Sequence, residues 1–361
     1  MNRADLPYRR LVLALSAFSG LSAIAGGIEL LRWWRGSRFF PLELLRHTPF
    51  QTFAIPGVIL AVLIGGTSLA CSLLVWRRAR AAIDATVIAG AALTIWIAAE
   101  SAMFRQVAWL TFLYGGLGVA MLALGVHAGW RSGLPRHRWL IVVTAAEALG
   151  FLGPACAGIF SAEAGLRGLP QVALVVAAGF FEGAALGVGQ AFAFPFRVRR
   201  GRYALLTALA ASLLWLCVLV PSAALQDGGV GLLRGGALAL AAVVLAALAL
   251  AGVALAGLGG AQWIELRHHV PRAHRWIAWT ALAWALALPL SFTPGPFVDE
   301  STPVASQLVL WACAGMLMAY VMASVTWLGL RRLARADAPR PHGHQTSPAP
   351  RLGNAEGKAT A

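Results

Sequence analysis

Residues 138–159 read RWLIVVTAAEALGFLGPACAGI, residues 202–223 read RYALLTALAASLLWLCVLVPSA, and residues 275–295 read RWIAWTALAWALALPLSFTPG. Each opens on an Arg followed by an aromatic (Trp139, Tyr203, Trp276), carries a Thr soon after (Thr144, Thr207, Thr280), and has a Pro in its later part (Pro154, Pro221, Pro289). Each is long enough to cross the hydrocarbon of a bilayer, which takes about 20 apolar residues. A second apolar stretch rich in small residues follows each one. Two of these match directly, EGAALGVGQ at 182–190 and ALAGLGGAQ at 254–262, so Gln190 and Gln262 hold equivalent places just before an Arg-rich loop. The third, GMLMAYVMASVTWLGLRRL at 315–333, matches loosely. The pattern predicts three helical hairpins in tandem, all entering from one side, and parallel copies of this kind favour pseudo-threefold packing about the membrane normal.

Outward from these hairpins the whole chain is a series of apolar stretches. Ten are long enough to span, at 11–31, 53–76, 82–103, 107–130, 139–160, 170–196, 203–225, 232–263, 276–293 and 305–330. The fold class expected is therefore an all-α polytopic membrane protein. Composition agrees, with 59% hydrophobic residues, 12% charged residues and a mean hydropathy of +0.73 over 361 residues. So few charges would leave a soluble domain poorly solvated. The net charge of +15 does not indicate nucleic acid, because the basic residues form neither one block nor one face.

They fall instead in alternate gaps. One set holds Arg3, Arg9, Arg10; Arg77, Arg78, Arg80; Arg131, Arg136, Arg138; Arg197, Arg199, Arg200, Arg202; Arg267, Arg272, Arg275; and the tail from Arg331. The other holds only Arg32, Arg35, Arg38, Arg46, Arg105, Arg167 and Arg234. Positive charge is retained on the cytoplasmic side, so both termini are expected in the cytoplasm of a bacterial cell, with the chain in its inner membrane. The basic flank before the first stretch resembles a signal peptide, but no A-x-A cleavage pattern ends it, and a retained helix is expected.

Three units follow: a four-helix part over 1–134, a six-helix part over 135–333, and a tail over 334–361 whose Pro, Gly, His and Arg content predicts disorder. The gap at 32–51, RWWRGSRFFPLELLRHTPFQ, is too polar to span yet rich in Trp, Phe and Leu. That mixture favours the headgroup region, so an interfacial segment on the outer surface is expected, with a lid over the bundle as the alternative.

The stretch from Gly26 to about Gly125 resembles small four-helix bacterial membrane proteins of unknown function, through PLELLRHTPFQTFAIPGVIL at 41–60, GGTSL at Gly65, WIAAE at Trp96 and RQVAWLTFLYGGLG from Arg105. The second part resembles uncharacterised bacterial tandem-hairpin membrane proteins, through Glu182 to Gln190, Gln262, Trp263 and Arg275 to Thr280. These resemblances imply the helix count and two-part layout, and no activity.

Chemistry inside a bilayer is confined to a few polar groups, each of which costs about 2.5–3.5 kcal/mol to insert when charged. Glu147 lies eight residues past Trp139, about 12 Å along a helix, and Glu182 twelve residues past Pro170, about 18 Å from the opposite side. In a core about 30 Å thick these depths nearly coincide. The candidate intramembrane polar site is therefore Glu147, Glu182, Thr144, Gln190 and Gln262, where two carboxyls at one level could share a proton or bind a cation. The competing expectation is that each carboxyl bonds a backbone group or Thr144. Glu100 is expected to meet Arg105 at a helix end. The loop ELRHHVPRAHR at 265–275 holds Glu265, His268, His269 and His274 but lacks metal-site order, and a solvated basic loop near anionic headgroups is expected.

Cys71, Cys156, Cys217 and Cys313 all lie in apolar stretches, with no disulfide framework and no zinc motif. No Walker loop or nucleophile elbow occurs, so neither catalytic residues nor cofactors are assigned. The expected partners are the lipid bilayer and a small solute or ion. The functional expectation is a transport or permease-like role, with a non-catalytic membrane scaffold or assembly partner as the alternative. The sequence leaves the substrate and the oligomeric state open.

Overall fold

The structure, a computed structural model, describes residues 8–233 and 252–336. It is all-α. Among the described residues eight helices are long and apolar enough to cross a membrane. They are α1 (Arg9–Arg32), α2 (Ala54–Trp76), α3 (Ala82–Phe104), α4 (Trp109–Arg131), α5 (Pro135–Glu163), α6 (Leu169–Ala193), α9 (Arg275–Ser291) and α10 (Val304–Ala336). Between α6 and α9 come α7 (Arg200–Leu233) and the helical residues 252–266, here α8.

Only 17% to 39% of the apolar window of each spanning helix is buried inside the protein. The rest faces outward, including Val62, Phe112, Leu149 and Phe181. Apolar surface on that scale needs hydrocarbon as its solvent. The chain is thus built as a polytopic membrane protein.

Two expectations are corrected by the helix ends. α7 was expected to stop at 225, but its backbone stays helical to Leu233 through Asp227, Gly228 and Gly229. Gly lowers helix propensity by only about 1 kcal/mol per residue, too little by itself to end a helix. α10 likewise continues to Ala336, three residues into the expected tail. The remainder of that tail, the beginning of the span expected at 232–263, and Arg3 and Arg234 lie outside the described residues.

The first four helices pack as two close pairs. α1 meets α2 at Gly20, Gly27 and Gly65, and a Cβ on Gly27 would lie 2.7 Å from the Ala61 methyl and backbone nitrogen. α3 meets α4 at Gly90, Gly118 and Gly125. The segment 32–51 folds as irregular turns with a single 3₁₀ turn, Leu42–Leu45. Its Trp33, Trp34 and Phe39 are exposed, Arg35 lies over the Trp34 ring at 4.3 Å, and Leu45 is buried.

The remaining helices form a ring, with α5 packed on α6, α6 on α7, α9 on α10, and α10 back on α5. Glycines make the close approaches. Gly183 and Gly187 of α6 face Ala211 and Ala204 of α7, Gly259 faces Ile277 and Thr280 of α9, and Gly315 of α10 faces Phe151 of α5. Small residues let backbones approach where no hydrophobic force drives helices together. The turn between α5 and α6 uses Gly165 and Gly168 at φ +64° and +66°, a region L-residues avoid.

The two parts are joined at both ends. At the Arg-rich end Asp84 at the start of α3 pairs with Arg136 at 2.9 Å and His137 at 3.4 Å. At the far end Arg105 donates to Ser301 and lies 3.7 Å from Asp299. This corrects the expected Glu100–Arg105 pair. Arg105 adopts φ +54° after the last turn of α3, which carries it away from its own helix, while Glu100 lies against Trp96. Ser301 and Thr302 both donate to Asp299, and these bonds, followed by the nearby Arg105, hold its carboxyl below the usual range.

Candidate intramembrane site

Glu147 sits on the inner face of α5, fully buried, and among the described residues neither of its oxygens receives an N–H or a hydroxyl, which leaves the Glu182 carboxyl as its polar neighbour. Glu182 sits opposite on α6. Their helices touch one turn away, where a Cβ on Gly150 would lie 3.1 Å from the Glu182 Cα. The two carboxyls are close enough to interact directly.

Glu182 has a further partner that sequence reasoning did not name. The Trp215 indole of α7 donates to Glu182 Oε2 at 2.7 Å. A signal for it existed in the antiparallel register of two small-residue faces. Gly187 lies against Thr207, Gly183 against Ala211 and Gly179 against Trp215, so counting four residues at a time along both helices places Trp215 opposite Gly179, one turn from Glu182 and within reach of its carboxyl.

Both carboxyls line a cavity of about 360 Å³ at the centre of the ring. Its walls include Phe151 and Pro154 of α5, Trp215 of α7, Trp284 of α9 and Trp311 of α10. It reaches Ala162, Gln171 and Gln307 at the end remote from the Arg-rich loops. From Glu147 to Ala162 is a rise of about 22 Å along α5. Two polar groups towards that end are bonded within the protein. Ser291 Oγ donates to the Leu288 carbonyl at 2.7 Å, and Gln307 Nε2 to the Thr302 carbonyl at 2.9 Å.

Towards the Arg-rich end an aromatic cluster fills the ring. Trp139, Tyr203 and Trp276 are wholly buried around Phe194, with ring centroids 5.2, 5.4 and 5.8 Å from it. Each of the three donates a hydrogen bond to a neighbouring helix. Tyr203 OH donates to Gln190 Oε1 at 2.8 Å, Trp276 Nε1 to Gln262 Oε1 at 2.7 Å, and Trp139 Nε1 to the Ala323 carbonyl at 3.0 Å. Indole N–H only donates, so the Gln262 oxygen must face Trp276. Its amide nitrogen then donates to Gln190 Oε1 at 3.0 Å and to Thr207 Oγ1 at 3.4 Å.

The five expected site residues therefore divide three ways. Glu147 and Glu182 meet in the cavity, and Gln190 and Gln262 meet in a bonded network below it. Thr144 joins neither. It lines a second, apolar cavity of about 520 Å³ between the two parts of the molecule, beside Asp84, His137 and Tyr320, and its hydroxyl has no bonded partner among the described residues. Three residues leave Thr144 only about 60° round α5 from Glu147, so the two stand on adjoining strips of one broad buried face, Glu147 on the strip lining the central cavity and Thr144 on the strip turned towards the first four helices.

The loop after α8 is also corrected. Glu265 is not part of a solvated loop but is 1% exposed. Its Oε1 accepts from the Arg199 backbone N–H at 3.0 Å and lies 2.9 Å from His269 Nε2, and its Oε2 lies 3.5 Å from Arg202. Burial acts to raise its pKa. The His269 and Arg199 bonds, followed by the electrostatic effects of His269 and Arg202, outweigh it and hold the carboxyl below the usual range. This places Glu265 as a tie between the start of α7 and the end of α8. No protein-family model, no curated protein and no solved structure matches the chain.

Proposed function

We propose that this chain is a permease-like carrier for a small solute or ion, working from the central cavity with Glu147 and Glu182 as its protonatable centre. The observation that carries this reading is Glu147, a fully buried carboxyl that receives no N–H or hydroxyl among the described residues and stands beside a second carboxyl on a cavity wall. An unpaired polar group in the membrane interior costs free energy and asks for a use. A scaffold gains nothing from such a group and is better served by a filled core. The Gly-lined contacts of the ring belong equally to either reading.

In this reading the cavity is one access route and the aromatic cluster round Phe194 closes the other end. The Arg distribution puts that closed end towards the cytoplasm of a bacterial cell. The six-helix part is read as three hairpin repeats. Supporting this, Tyr203, Trp276 and Trp139 each lock the opening helix of one hairpin to the returning helix of another, in a closed cycle.

Purified protein in proteoliposomes, screened with solute gradients on a solid-supported membrane, tests the proposal. Wild type is expected to give currents for at least one solute class, and Glu182→Gln is expected to abolish them. Currents that persist unchanged in Glu182→Gln, or wild type silent across the panel at every pH, would overturn it.

A further inference from the structure

We infer that the central cavity binds a monocationic amine carried on an apolar, aromatic body, with its ammonium against Glu147 and Glu182. The inference rests on the reading of this carboxyl pair as the working centre of the cavity, and adds the class of ligand.

The floor of the cavity carries its unmet hydrogen-bonding capacity. Among the described residues the Glu147 oxygens receive no N–H or hydroxyl and face only the Glu182 carboxyl, and Trp215 occupies one oxygen of Glu182. A protonated amine supplies N–H donors, no acceptor, and the charge that two neighbouring carboxyls lack. The walls carry the second requirement. Phe151, Trp215, Trp284 and Trp311 present apolar and aromatic surface around the same space. Aromatic faces attract a cation within about 6 Å, and more strongly where water is excluded. A volume of about 360 Å³ falls within the range of small-molecule pockets, about 300–1,000 Å³.

Other classes fit less of the site. An anion would face two carboxyls with no basic side chain among the described lining residues. A polyhydroxylated solute needs many polar partners, yet Ser291 and Gln307 already bond to backbone carbonyls. A hard divalent cation takes about six or more oxygen ligands, and no cluster of three His, Cys, Asp or Glu suited to a metal occurs among the described residues. A bare monovalent ion makes no use of the aromatic walls.

The test is equilibrium dialysis of the full-length protein in phosphatidylcholine nanodiscs, corrected with empty nanodiscs. The probes are 1-naphthylmethylamine, its neutral isostere 1-naphthalenemethanol, and 1-naphthoic acid. Wild type is expected to bind the amine at least about tenfold tighter than the alcohol, the scale of one charge-assisted hydrogen bond, and not to bind the acid. Glu147→Gln, near-isosteric and uncharged, is expected to bring amine and alcohol to near equality. Trp311→Leu is expected to weaken both together. Circular dichroism and gel-filtration retention establish that each variant is folded, and Glu182→Gln serves if Glu147→Gln is not. Equal binding of amine and alcohol by wild type, or a preference retained in both Gln variants, would overturn the inference. Solute currents without amine binding would overturn the ligand class and leave the carrier reading standing. Selective, Glu147-dependent amine binding without currents would uphold the ligand class and sink the carrier reading.

Discussion

Glu147 is held in the protein at a cost. Both of its oxygens are buried and, among the described residues, receive no N–H or hydroxyl, whereas Glu182 receives the Trp215 N–H. An unsatisfied buried polar group costs about 1–3 kcal/mol, so Glu147→Leu is expected to raise thermal stability in detergent by that order while removing function. A melting temperature lowered by Glu147→Leu would mean that the carboxyl is bonded and structural. This pair was legible in the sequence because depth along a helix follows from residue counts alone. Thr144 was misplaced because counts along a helix do not say which neighbour each face meets. Trp215 was passed over as one more apolar residue, since its role depends on the register between α6 and α7.

The contact of α6 with α7 is set by glycine spacing. A Cβ on Gly187 would lie 2.7 Å from the Ala204 Cα, a backbone atom that cannot give way cheaply. Gly116 on α4 has nothing near its Cβ position among the described residues. Gly187→Val is therefore expected to destabilise by about 2 kcal/mol or more, in the range of overpacked sites, and Gly116→Ala to leave the melting temperature nearly unchanged. Equal effects at the two positions in thermal melts would contradict the close packing of α6 on α7. The ladder Gly179, Gly183, Gly187 was visible in the sequence as a packing face. The Glu265 tie was not, because nothing in ELRHHVPRAHR distinguishes a carboxyl turned inward to Arg199 and Arg202 from one turned to water.

At the scale of the whole molecule, period and charge carried most of the information. Hydrophobic runs of about 20 residues dictate helices across a bilayer, and most helix boundaries fall within a few residues of those runs. How the two parts meet was not legible, because Asp84 with Arg136 and Arg105 with Asp299 pair across long sequence separations. The Arg alternation makes a topological prediction. In intact cells an impermeant maleimide should label a cysteine placed at exposed Ser301 and miss one at exposed Gly201. The reverse pattern would invert the orientation. The central claim is that Glu147 and Glu182 work as one unit in the cavity, and infrared difference spectra of their carboxyl bands across pH test it most directly. Interacting acids titrate as a pair, so replacing either residue by Gln is predicted to shift the titration of the other. Two bands that titrate independently, each unmoved by loss of its neighbour, would contradict the account.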